Sequence, residues 1–451
     1  MNIVIVGGGT VGAEICERLM PEKHNITLID SNEIELAELS NKYDLFGIVG
    51  NGAELSVLKK ADLDKADLLI AVTSNDEINI LCCATAKKLG VENTIARVRN
   101  PEYSEMIEFM RDKFALSMTI NPELALAKEI YRTLKFPSAN RIDTFCKGRV
   151  EIAELVVPEN SPICNKSLFE IRSALNMRFI VCAVLRGNEA HIPTGNFVIE
   201  AGDTICVTLP DEDIAKFFKA IGAYKHPVRN VLIVGAGRTT YYLEALLQAG
   251  KMHSTIIEKD KQLCMELAST YSSTVICDTP TKQEVLLEEG LAAADAFLAL
   301  SDDDEDNAIV SMYAKKQSAA KIVTKINSSS YVELFKELGL NGIVSPKSST
   351  ASLVLKHVRS LSKVKGSDIE SLYKLMNGKV EALEFFIKES IKGLTGIPLK
   401  DLRLQSGILL ACIVRDGNVI VPTGNDTIQV GDTVIVVTTT TQIKGIRETL
   451  K

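Results

Sequence analysis

A chain of 451 residues is too long for one ordinary domain and has room for several packed cores. Its 51 Lys and Arg stand against 58 Asp and Glu, so a net charge of −7 repels phosphate backbones and anionic lipid. Nucleic acid is thereby disfavoured as a partner, as is polybasic docking on a membrane, and the absence of Trp argues against a base-stacking platform.

Met1 leads at once into Asn2-Ile-Val-Ile-Val6 and a glycine turn, with no basic leader or cleavage site, which predicts a cytoplasmic protein. Further short apolar runs follow at Asn25 to Ile29, Leu45 to Val49, Leu68 to Val72, Thr94 to Val98 and Leu116 to Ile120. Segments of helical period, such as Val11 to Met20 and Glu33 to Lys42, fit between them. Apolar strands separated by helices predict an α/β lobe, a doubly wound parallel sheet covered on both faces.

Gly7-Gly8-Gly9-Thr10-Val11-Gly12 follows the first strand and opens a helix. In that context the spacing permits a tight turn, lets a pyrophosphate approach backbone N–H groups, and lets helix and strand pack closely. Asp30 ends the second strand, where a carboxylate accepts both ribose hydroxyls and repels a 2′-phosphate, so NAD(H) is favoured over NADP(H). The alternative is a glycine turn that only packs a helix. Thr73-Ser74-Asn75-Asp76, after the fourth strand, either borders the phosphates and nicotinamide or serves as a helix cap through Ser74 or Asn75. Arg97, polar in an apolar strand, either reaches a phosphate or forms a strand-end ion pair. Asn51, on the loop after the third strand, is counted with the site.

The next segment changes character. Arg149 to Val157, Phe179 to Arg186 and Thr204 to Leu209 alternate and are punctuated by Pro-Glu-Asn, Arg-Gly-Asn and Ala-Gly-Asp turns, which predicts a small α+β lobe. The longest apolar runs, Phe179 to Leu185 and Ile408 to Val414, fall far short of the ~20 residues that span a bilayer.

From Asn230 the chain repeats itself. Asn2-Ile-Val-Ile-Val-Gly-Gly-Gly9 returns as Asn230-Val-Leu-Ile-Val-Gly-Ala-Gly237, Asp30 returns as Glu258, and Asp67 to Glu77 returns as Asp295 to Glu305, all shifted by 228 positions. Pro193-Thr-Gly-Asn196 and Gly202-Asp-Thr204 recur as Pro422-Thr-Gly-Asn425 and Gly431-Asp-Thr433. The order is thus A-B-A′-B′, with expected domains at 1–136, 137–224, 228–363 and 364–451, and Lys225-His-Pro-Val228 as the joint between halves. The second copy keeps Gly235 and Gly237 but has Thr240 in place of Gly12, whose Cβ is expected to push helix from strand. Ser301-Asp-Asp-Asp-Glu-Asp306 sets five carboxylates where a pyrophosphate would lie, so anion binding is expected to be weaker there. Glu258 and Asp278 remain placed for a nucleoside or mononucleotide. The acidic run fits a divalent cation or, more simply, a solvated helix start.

Ten scattered cysteines without Cys-x-x-Cys or zinc spacing read as buried thiols in a reducing compartment. The histidines, at 24, 191, 226, 253 and 357, form no catalytic arrangement. Tyr131 and Lys135 have the Tyr-x-x-x-Lys spacing of short-chain dehydrogenases, but the glycine pattern does not match that class. An NAD-dependent oxidoreductase is the alternative reading and rests on the glycine fingerprint alone.

The residues Ile5-Val-Gly-Gly-Gly-Thr-Val-Gly12, Asp30, Val72-Thr-Ser-Asn-Asp-Glu77, Asn79, Ala96-Arg97, Asn121-Pro-Glu123, Pro193-Thr-Gly-Asn196 and Ala201-Gly-Asp203 together resemble the TrkA-type subunits of bacterial and archaeal Trk potassium uptake systems. The resemblance spans essentially the whole chain. It implies two tandem RCK (KTN) units, each a Rossmann lobe followed by an α+β lobe. It further implies a homotetramer forming a cytoplasmic ring of eight Rossmann lobes beneath a membrane-embedded potassium-translocating subunit, with nucleotide biasing the ring's shape and so gating uptake. Where the family often has Gly-Asp after the third strand, this chain has Gly50-Asn-Gly-Ala53; Cys277-Asp-Thr279 in the second copy is closer to that form.

Overall fold

A computed structural model describes residues 1–22, 24–100, 103, 116–139, 141–146, 149–223, 226–318, 320–340, 342–362, 369–439, 443 and 445–450. Lys225 of the expected joint and the expected boundary at 363 and 364 lie outside these residues.

In the first lobe β1 (Asn2–Val6), β2 (Asn25–Asp30), β3 (Phe46–Val49), β4 (Leu68–Ala71), β5 (Asn93–Arg97) and β6 (Met118–Ile120) form one sheet in the order β3-β2-β1-β4-β5-β6. Every pairing is parallel. The central strands are buried on both faces, from Ile3 to Val6 and from Leu68 to Ala71, which is why they read as continuous apolar runs rather than alternating ones. Crossovers run through α1 (Thr10–Leu19), α2 (Glu33–Lys42), α3 (Leu55–Lys60) and α4 (Asp76–Lys88). Asn32 starts α2 by accepting the Ile34 N–H, and Asn75 starts α4 by accepting the Ile78 N–H at 2.7 Å. The strand order reverses between β1 and β4, so a crevice opens at their carboxyl ends.

The second segment contains β7 (Arg141–Phe145), β8 (Val150–Val156), β9 (Lys166–Ser167), β10 (Ile180–Arg186), β11 (Glu189–His191), β12 (Val198–Ile199) and β13 (Thr204–Thr208). Five of them make an antiparallel sheet, β11-β10-β13-β8-β7, and β9 pairs with β12. Phe179, Val207, Phe217, Phe218 and Ile221 fill its core. The recurring Gly-Asp-Thr turn proves to be a clamp: Asp203, 1% exposed, accepts two 2.8 Å hydrogen bonds from Arg186, and Asp432 does the same for Arg415.

The second half repeats both lobes. Strands β14 (Asn230–Val234), β15 (His253–Glu258), β16 (Thr274–Cys277), β17 (Ala296–Ala299), β18 (Lys321–Lys325) and β19 (Ile343–Val344) are ordered β16-β15-β14-β17-β18-β19, again parallel. Strands β20 (Ile369–Leu375), β21 (Val380–Phe386), β22 (Ile408–Arg415), β23 (Asn418–Ile420) and β24 (Thr433–Thr438) make the antiparallel sheet β20-β21-β24-β22-β23. The duplication read from residues is therefore a duplication of topology.

The compact units join like with like. One comprises residues 1–134 and 228–355, the two parallel-sheet lobes; the other comprises 135–227 and 356–451, the two antiparallel ones. In the first unit the helix Pro122–Lys135 sends Leu126, Ala127, Ile130 and Leu134 into the core of the second lobe, beside Val231, Ile233, Leu243 and Leu247. In the other, Phe145, Ile152, Cys182 and Cys206 share a core with Leu375, Val380, Cys412 and Ile435. No described helix is long and apolar enough to cross a membrane.

Candidate functional site

The first crevice is built around the turn from β1 into α1. Gly7 adopts φ +105° and donates its N–H to Ile29 O at 2.9 Å. A Cβ at Gly7 would sit 2.9 Å from Thr73 N, and one at Gly12 would sit 1.9 Å from Gly7 O, so both glycines are demanded by packing. Gly9 is different: a Cβ there meets nothing within 4 Å. Packing does not demand a glycine at this position, and the space above the loop is open. Helix α1 begins directly after it, with Thr10 and Val11 in its first turn, no side-chain cap and no acidic residue there, and such a start attracts an anion.

Asp30 stands at the end of β2 and faces this loop. Its carboxylate accepts the Gly8 N–H and, at 2.8 Å, the Asn32 N–H, so both oxygens are oriented before any ligand arrives. Asn51 lies on the exposed turn after β3 and accepts the Ala53 N–H through its side chain. Asn75, not Ser74, is the cap of α4; Ser74 contributes its carbonyl, which accepts from the Arg99 guanidinium.

Thr73 is held by a residue that the motif reading did not count among the site. Asn79 is fully buried; its oxygen accepts the Thr73 N–H at 2.8 Å and hydroxyl at 2.7 Å, and its amide donates to Thr73 O and Arg97 O. One side chain thus ties the β4 loop to the end of β5. Its recurrence as Asn307 was the available signal, since Asn307 makes the same four bonds to Ser301 and Lys325.

Arg97 neither reaches solvent freely nor forms a close ion pair among the described contacts. Burial lowers its pKa and the neighbouring Arg99 guanidinium lowers it further, while the Glu123 and Asp76 carboxylates oppose the fall; Arg238, which opens a helix in the second lobe, adds a weaker lowering. Its Nη1 donates weakly to Thr73 O at 3.4 Å, while its buried Nε has no hydrogen-bond partner. Asp76 is committed instead to the Arg99 and Asn100 N–H groups at 2.8 and 2.9 Å. Arg99 also stands at the crevice, bonded to Ser74 O and 3.6 Å from Asp76 Oδ1, and motif reading did not count it because it comes from the following loop.

The second crevice has the same plan with different chemistry. Gly235, φ +99°, and Gly237 hold the same turn, and Glu258 accepts the Ala236 N–H at 2.8 Å and the Asp260 N–H at 2.9 Å. The crowding expected at Thr240 is met by a hydrogen bond, its hydroxyl donating to Gly235 O at 2.7 Å. Asp278 is occupied locally by Lys282 and by the Thr279 N–H. Lys325 takes the place of Arg97 and pairs with Asp302 at 2.6 Å. Among the described residues no group of His, Cys, Asp and Glu has the arrangement of a metal site. Tyr131 of the dehydrogenase-like spacing packs with the core shared between lobes, and Lys135 lies over the Phe136 ring.

Comparison with known proteins agrees with this architecture. The TrkA-N domain model matches residues 3–117 and 231–346, and the TrkA-C domain model matches 152–222 and 384–451. A Trk system potassium uptake protein TrkA homolog of Archaeoglobus fulgidus is 32% identical over 450 residues, 99% of each chain. The Trk system potassium uptake protein TrkA of Vibrio alginolyticus is 30% identical over 442 residues, covering 96% of this chain and 95% of that one. Among solved structures, the GsuK channel bound to NAD superposes with a TM-score of 0.62 at 17% identity, over 97% of this chain and 76% of that chain, a likeness of fold. Duplicated lobes, matched domain models and full-length relatives together make this chain a member of the TrkA family of Trk potassium uptake proteins.

Proposed function

We propose that this protein is the nucleotide-sensing regulatory subunit of a Trk-type potassium transporter and not an enzyme. NAD(H) binds in the first lobe, with its pyrophosphate over Gly7 to Gly12, its ribose on Asp30, and Thr73, Ser74 and Arg97 bordering the phosphates. Asn51 flanks the adenine side. The observation that carries this reading is the open space above Gly9, beside an uncapped helix start and opposite a pre-oriented carboxylate. Four chains assemble on the cytoplasmic face of the membrane against the potassium-translocating subunit, and nucleotide shifts the assembly between shapes by its difference in affinity for them. Such couplings amount to ~1–3 kcal/mol. The Tyr242 hydroxyl, which donates to Arg99 O at 2.8 Å, supports the linkage, because it ties a residue of the second lobe to the loop beside the first crevice.

Calorimetric titration with NADH on wild type and Asp30→Ala tests the site, paired with NADH absorbance over a panel of carbonyl substrates. Binding that Asp30→Ala abolishes, without oxidation of NADH, is the expected result. Steady turnover, or binding indifferent to Asp30, overturns it.

A further inference from the structure

The acidic run at the start of the second lobe's Asp304–Gln317 helix resolves into separate tasks when set beside its counterpart in the first lobe. Asp303 caps the helix by accepting the Asp306 N–H at 2.7 Å, as Asn75 caps α4. Asp304, 8% exposed, accepts the Asn327 and Ser328 N–H groups, as Asp76 accepts those of Arg99 and Asn100. Glu305 bonds Tyr331, as Glu77 accepts the Tyr103 hydroxyl. Each of these carboxylates does in the second lobe what a polar residue already does in the first.

Asp302 breaks the correspondence. Its counterpart is Ser74, a neutral residue, yet its own carboxylate lies 2.6 Å from Lys325 Nζ. Lys325 is 7% exposed and Asp302 is 94% exposed, so the carboxylate lies over a buried cation from the solvent side. In the first lobe the equivalent cation, Arg97, keeps a buried Nε without a partner. Glu123 and Asp76 act on Arg97 electrostatically, but no close ion pair to it is made among the described contacts, whereas Lys325 is directly paired by Asp302.

We propose that Asp302 is an internal anion that closes the second crevice to phosphate, so that each chain takes up one dinucleotide rather than two. This rests on the reading that Arg97 faces a ligand phosphate in the first lobe. The scaffold for a second ligand persists in Gly235, Gly237 and Glu258, and a Cβ at Gly237 also meets nothing within 4 Å. An incoming pyrophosphate must displace Asp302 from Lys325 and then remain beside it as a like charge, next to a helix start already capped by the Asp303 carboxylate.

The test is the number of NADH molecules bound per chain, measured by calorimetry on the full-length protein. Wild type binds one. Asp302→Ser and the near-isosteric Asp302→Asn each bind two, and Asp302→Ser combined with Asp30→Ala retains one, held by the second lobe. Wild type binding two per chain overturns the inference, as do folded Asp302 variants that still bind one. If wild type and both variants bind none, the reading of the first site falls and takes the inference with it, an outcome distinguished by the absence of any heat in wild type.

Discussion

Replacing Gly12 by alanine probes the geometry on which the first crevice depends. The added Cβ would stand 1.9 Å from Gly7 O, about 1.5 Å inside the 3.4 Å at which ordinary contact begins, so the glycine loop and α1 must separate by roughly that amount. Overpacking of this kind costs about 1–3 kcal/mol, which a large unit tolerates with a fall of several degrees in Tm. Binding suffers more, because N–H groups near 2.9 Å from a phosphate no longer bond it after such a shift. Losing two bonds to a charged group, at about 1.5 kcal/mol each, removes about 3 kcal/mol and weakens NADH more than ~100-fold. Fluorescence titration with NADH, alongside thermal melting by circular dichroism, measures both effects. Thr240→Ala is the control, since it removes a hydroxyl bond in the other lobe and leaves the first site alone. A Gly12→Ala protein that melts with wild type and binds NADH equally refutes the reasoning.

Two further outcomes follow from buried polar groups. Asn79→Ala removes four hydrogen bonds from a fully buried position and strands the Thr73 and Arg97 backbone groups, so chemical denaturation should record a loss of about 3 kcal/mol, far more than truncation of the exposed Asn51. Glu244, fully buried between Ser254 and Ser273, has its pKa raised by desolvation. A carboxyl raised on folding binds its proton more tightly in the native chain, so its contribution is complete below the ordinary value of 4.5 and is lost as pH rises through the folded value. Melting temperature should therefore decline on that side of the pH profile, and Glu244→Gln should flatten the decline; an unchanged slope refutes this assignment.

The parallel doubly wound sheets and the duplication were legible because they rest on local signals: apolar runs of strand length, glycines at fixed spacing, and residues recurring at a constant shift. The place of Asp30 was legible for the same reason, since it is the last residue of a strand beside the glycine loop. What sequence could not convey were relations across long separations. Tyr242 bonds Asn121 and Arg99 O across more than a hundred residues, beside the helix Pro122–Lys135 that packs into the second lobe. The acidic run was readable as charge but not as labour, because capping, strapping and pairing differ by which N–H or ammonium each carboxylate meets. At Thr240 side-chain volume predicted crowding, but the hydroxyl found an acceptor in Gly235 O.

The helix Pro122–Lys135, lodged in the neighbouring lobe, bears on how the two halves have been able to differ. Two separate, identical chains exchanging such helices would have to accept every substitution twice, once in each copy, and each change would need to suit its own mirror. A single tethered chain is released from that symmetry. One half can keep a glycine where the other takes threonine, and one can keep serine where the other takes aspartate, while the shared core still closes over both.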